Sequence, residues 1–170
     1  MTIQEIISDL ETSINLYSEG LKNYSSENFT HKKDEPIWSL NQMYEHLVVS
    51  SNFYFLANVL RCSEQRKGQE GGELSEYGLK AFKYNSFPPI KIKMPDAMPQ
   101  PANNIHDVTT YGASLQKILT DAQALANKID GGGTYKVVHF AFGALNGKEW
   151  LQLLAMHFRH HLTQKSDLEA

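Results

Sequence analysis

The chain has 170 residues, enough for one domain with a real apolar core, and 41% of them are hydrophobic. Its formal net charge of -3 comes from intermingled acidic and basic residues, with no basic stripe or aromatic-basic interleaving, which argues against nucleic acid as a partner. No apolar run reaches bilayer-spanning length, the opening Met1-Thr2-Ile3-Gln4-Glu5 is amphipathic and acidic where a leader would be basic, and a single cysteine, Cys62, excludes both an internal disulfide framework and a cysteine-rich zinc site. A cytoplasmic protein without membrane attachment is expected.

Periodicity predicts four helices. The first covers about residues 3–23, with Ile3, Ile6, Ile7, Leu10, Ile14, Tyr17 and Leu21 in one stripe. The second runs from Ser39 to about Cys62. Ser39 and Gln42 stand at capping-box spacing, and Trp38 and Met43 at the positions of a hydrophobic staple. Apolar residues cover most sides of this helix, so it is expected to be central. On its wheel His46 groups with Met43, Val49, Ser50, Phe53, Ala57 and Leu60, whereas Asn41, Glu45 and Asn52 fall elsewhere. His46 is therefore expected to face inward.

Residues 63–106 read as one long irregular crossover. Gly68, Gly71 and Gly72 open it, and Pro88, Pro89, Pro95, Pro99 and Pro101 block regular helix. Phe82, Tyr84, Phe87, Ile90 and Ile92 are expected to pin part of it on the bundle. The third helix covers about residues 107–129 and stops at Gly131-Gly132-Gly133. Residues 135–143 alternate too weakly for a strand to be assigned. The fourth helix follows Asn146 and runs to about residue 166. The expected fold is all-α: one four-helix bundle domain over residues 1–170, with a long irregular crossover between helices two and three.

The fourth helix opens with Asn146 and Glu149 at capping-box spacing. Its informative residues are His157 and His161, four apart and therefore on one face, together with Trp150, Leu153 and Leu154. Gln152, Arg159 and Thr163 project to the other side. Burying an unpartnered imidazole costs free energy, and a bound metal relieves it. With His46, three inward histidines lie on two helices, and three histidines leave a coordination position open, as in catalytic zinc sites. His160 makes a His157/His160 pair geometrically possible as well, although it lies toward the edge of the apolar face. Gln164 shares the face of His161 and could orient it or only solvate the helix end. His139 is expected to pack at a loop-to-helix corner, His31 and His106 to be solvated, and Cys62 to be an inert thiol. Tyr44 and Tyr54 read as ordinary aromatics, Glu45 as a surface charge and Glu149 as a helix cap.

Three motifs resemble one family in order and spacing. They are Trp38-Ser39…His46-Leu47, then His139…Phe142-Gly143-Ala144-Leu145…Glu149-Trp150, then His157-x-x-x-His161-x-x-Gln164. The pattern is similar to the DinB/YfiT-like superfamily of metal-binding four-helix bundles, over nearly the whole chain. The resemblance implies a divalent metal, zinc or nickel foremost, held by His46, His157 and His161, and a low-molecular-weight thiol as cofactor or substrate. Two chemistries follow: S-transfer from an activated thiol to a small electrophile, or hydrolysis by a metal-bound water. No carboxylate stands at HExxH-type spacing to serve as a base for water, which favours the thiol route. The alternative from another class is a non-enzymatic metal- or ligand-binding bundle. The apolar surface of helix two and the long crossover leave room for a homodimer.

Overall fold

The computed structural model describes residues 1–87, 100–104, 106–129 and 133–170. It is mostly helical. Helix α1 spans Ile3–Leu21 and α2 Ser26–Thr30; α3 (Leu40–Ser50) continues through a π-helical turn (Ser51–Phe55) into α4 (Leu56–Ser63). Helix α5 spans Glu76–Tyr84, α6 Val108–Ala126 and α7 Gly147–Glu169. Strands β1 (Gln69–Glu70), β2 (Tyr135–His139) and β3 (Gly143–Leu145) form a small antiparallel sheet in that order, with Gln69 opposite Lys136 and Val137 opposite Leu145. No helix of the described residues is long and apolar enough to cross a membrane.

Local chemistry explains where the long helices begin. Thr2 with Glu5, Ser39 with Gln42 and Asn146 with Glu149 each form a reciprocal capping box, which satisfies two otherwise orphaned backbone donors per helix. Apolar stripes then decide the packing. Ile6, Leu10, Ile14 and Tyr17 of α1 are buried against α6 and α7, and Tyr111, Leu115, Ile118 and Ala122 form the buried face of α6.

The central helix is α7, not the second helical segment. Every residue from Trp150 to Phe158 is buried, so this stretch is enclosed on all sides. Gln152, expected on the outer side, is buried, and its amide donates to Asn85 Oδ1 at 2.9 Å. The polar group is tolerated because it has a partner.

The second helical segment departs from an unbroken wheel after Ser50. The Leu56 N–H bonds to the Ser51 carbonyl, an i to i+5 link that inserts one extra residue into the turn. The Ser50 and Ser51 hydroxyls donate to the His46 and Leu47 carbonyls, both at 2.6 Å. An unbroken α-helix would set Phe55 about 180° from His46, and the extra residue brings it about 100° back. Phe55, Asn58, Val59 and Cys62 are buried as a result, while Phe53, expected beside His46, is 78% exposed.

The crossover is less irregular than its glycines and prolines suggest. Ser75 caps the N-terminus of α5 by accepting from the Gly78 N–H, and Asn85 ends the helix in the left-handed region at φ +48°. Phe82 and Phe87 pack on the core as expected, whereas Tyr84 is exposed. Ile90, Ile92, Gly131 and Gly132 lie outside the described residues. Helix α6 ends at Ala126, ahead of the glycine run. The unassigned alternation at 135–143 proves to be β2 and β3. Gly143 (φ +86°) joins that hairpin to the crossover; a Cβ there would meet Ser75 N at 2.5 Å and Glu73 O at 2.6 Å. That close approach lets the Ala144 N–H reach the Glu73 carbonyl and the Ser75 N–H reach the Phe142 carbonyl, both at 3.0 Å.

Candidate metal centre

Helices α3 and α7 bring His46, His157 and His161 together. His157 Nε2 lies 3.0 Å from His46 Nε2 and 3.1 Å from His161 Nε2. Tetrahedral nitrogen ligands on a zinc ion stand about 3.3 Å apart, so the spacing suits a shared cation. His157 is buried, whereas His46 and His161 keep part of their surface open to solvent.

The proton arrangement also fits. His161 Nδ1 is 2.6 Å from Gln164 Oε1, an oxygen that can only accept, so Nδ1 carries the proton and Nε2 presents a lone pair. A proton on His46 Nε2 would satisfy its contact with His157 and leave His157 and His161 as facing lone pairs, whereas a proton on His157 Nε2 can point fully at only one of its two neighbours. One divalent cation would serve all three nitrogens. His157 Nδ1 is buried without a hydrogen-bond partner among the described residues, and its ring is held by packing: the Phe55 ring centre is 4.8 Å away.

Burial keeps the rings neutral, the form that ligates. It lowers the His46 pKa to about 4, with a smaller contribution from His160. It lowers His161 to about 3, and His46 and His160 add to the effect against the opposing bond to Gln164. His157 falls well below its ordinary value, through burial first and then repulsion from the other histidines.

Other expected roles resolve as follows. His160 is exposed and lies beside Phe87, so the pair brought together is His157 with His161. Gln164 does contact His161. His139 is buried in a corner with Tyr54, Phe142 and Trp150, and its Nδ1 accepts from the Ala141 and Phe142 N–H groups at 3.0 and 3.3 Å. His31 and His106 are exposed. Cys62 is buried, and burial pushes its thiol up to about 11, which makes it unreactive. Tyr44 is fully buried, with its hydroxyl donating to the Tyr17 carbonyl. Glu45 is not a free surface charge; it accepts from the Tyr111 hydroxyl at 2.8 Å. Sequence reasoning missed Trp38, Phe55 and Phe87 as neighbours of the cluster. Phe55 was hidden by the π-helical turn, and the contacts of Trp38 and Phe87 depend on tertiary structure alone.

Replacing Gln164 tests whether it orients His161. Gln164→Leu keeps the bulk and removes the acceptor, and is expected to weaken divalent-metal affinity about 10- to 100-fold in competition with a chromophoric chelator. Unchanged affinity would reduce Gln164 to a solvating residue.

In this mainly helical protein α3 and α7 converge three neutral imidazoles on one point, an arrangement compatible with a metal ion held between helices. The family model described as "Protein of unknown function (DUF1569)" matches residues 81–167, just over half of the chain, and the chain belongs to that family. The matched span includes His157 and His161 but not His46. No curated protein and no solved structure matches the chain.

Proposed function

We propose that the chain is a DinB/YfiT-like four-helix bundle in which His46, His157 and His161 hold one divalent cation, zinc or nickel foremost, for thiol-dependent S-transfer to a small electrophile. The observation that carries this reading is the meeting of three Nε2 atoms, with contacts of 3.0 and 3.1 Å, among rings that burial keeps neutral. When bound, the metal supplies a Lewis acid that makes a thiol more acidic.

The chain's own residues account for the rest. Gln164 sets the tautomer of His161, and Phe55 packs against the buried His157 ring. Among the described residues the cluster of ligand atoms is made of His46, His157 and His161 with no carboxylate in it, and Glu45, next to His46 in sequence, accepts from the Tyr111 hydroxyl. A water nucleophile would lack a nearby base, whereas a thiol, already the stronger acid, needs one less. That favours S-transfer over hydrolysis.

The test is a screen of zinc- and nickel-loaded protein with low-molecular-weight thiols and electrophiles, reading thiol binding and thiol consumption. Binding and turnover of at least one thiol is expected. Metal-loaded protein that neither binds nor consumes any thiol would overturn the proposal in favour of a non-enzymatic metal- or ligand-binding bundle.

A further inference from the structure

Aromatic rings lie beside the histidine cluster on both the α3 and the α7 side. Trp38 is half-buried with its ring centre 5.2 Å from that of His46, and its indole N–H donates to Gln100 Oε1 at 2.7 Å, which fixes the ring in place. Phe87 is half-buried on the α7 side. It stacks on Phe142 with ring centres 5.6 Å apart and planes 22° apart, and lies 6.5 Å from His157 and 5.2 Å from His160. Arg159 lines a hollow with Phe87 and His160, but it is already engaged by Asp9 and the Asn85 carbonyl, and Glu45 accepts from Tyr111.

A ligand whose donor atom reaches the three nitrogens must lay the rest of its body near these rings. An apolar or aromatic body gains by covering the Trp38 and Phe87 faces. An anionic body loses water there and finds the guanidinium beside Phe87, that of Arg159, already paired with Asp9.

We infer that the site selects ligands with an uncharged, apolar or aromatic body, and that Trp38 and Phe87 set this preference. The inference rests on the reading of the three histidines as a metal site.

The test uses cobalt(II)-loaded protein, whose visible absorption reports both metal uptake and thiol coordination without any turnover. Two probe thiols of comparable acidity are titrated: phenylmethanethiol and 2-mercaptoethanesulfonate. The parent is expected to bind the aromatic thiol about tenfold more tightly, a ratio set by burial of one ring. Phe87→Ala and Trp38→Leu are each expected to shrink that ratio about threefold or more. The ratio is internal to each variant, so a general loss of affinity cancels. Should either variant fail to hold cobalt, Phe87→Leu or Trp38→Phe takes its place, with a ratio expected below that of the parent. Equal affinity for the two thiols in the parent, or a ratio unmoved by substitution at both positions, overturns the inference while the cobalt bands leave the metal reading standing. Protein that takes up no cobalt overturns the metal reading, and this inference with it.

Discussion

Chelating the metal from the zinc-loaded protein is expected to lower its melting temperature by about 5–10 °C, and His157→Ala is expected to erase that difference. A ligand present at about 100 times its dissociation constant and bound only by the folded state adds about 2.7 kcal/mol. In a chain of this size each kcal/mol moves the midpoint by about 2–4 °C. His157 is the position to change because its Nε2 makes both short contacts, to His46 and to His161. Its loss also removes a buried ring packed on Phe55, so the variant should melt lower in any buffer. The diagnostic quantity is therefore the gap between zinc-loaded and chelated protein within each variant, read by calorimetry. Superimposable curves for the parent with and without chelator would refute the metal site.

Acid is expected to destabilise the metal-free protein from about pH 6.5 downward, above the range in which carboxylates titrate. His46 and His139 are lowered to about 4 and His161 to about 3, and His157 well below its ordinary value, with burial the largest cause in each. In the unfolded chain all four return to about 6.5. Between those values the unfolded state binds more protons, so stability rises with pH across that window. It is therefore whole above about pH 6.5 and is lost as pH falls toward about 4 and below. Each histidine that is neutral when folded and protonated when unfolded contributes a slope of about 1.4 kcal/mol per pH unit. Zinc bound only by the folded state should raise stability by a nearly constant offset through the upper part of this window without changing the slope, because the protons are taken up by the unfolded chain. The offset should shrink once the folded rings themselves protonate, toward about pH 4 and below. Urea midpoints for apo and zinc-loaded protein at several pH values would measure both effects. A flat apo profile between about pH 7.5 and 5 would contradict it.

The long helices were legible because their signals are local. Caps at Ser39 and Asn146 and the stripes on α1 and α6 place four segments within a few residues of where they lie. The three histidines were legible for the same reason: His157 and His161 share a face by spacing alone, and His46 precedes the interruption of its helix. What failed was phase and partnership. A wheel drawn through Ser51–Phe55 assumes a constant angle per residue, and one inserted residue was enough to put Phe53 inside and to leave Phe55 unplaced. Helix α5 escaped notice because it is short and keeps Tyr77, Leu79 and Tyr84 outside, so it carries little stripe; its Ser75 cap was the available signal. Strand β2 has an outward Val138 and pairs with the polar dipeptide Gln69–Glu70, a distant partner that no local pattern announces. Glu45 looked like a surface charge because its partner Tyr111 sits on another helix.

The extra residue between α3 and α4 makes spacing itself a constraint. Upstream of it the helix aims a donor nitrogen at α7; downstream it packs Phe55, Val59 and Cys62. Deleting one residue within Ser51–Phe55 would restore regular winding and swing everything beyond by about 100°. The chain could then keep the histidine in place or the core intact, but not both. For aligning this helix with distant sequences, a gap placed inside the turn would misassign one half whatever the residue matches say, so the interval from His46 to Phe55 carries information that the identities of the intervening residues do not.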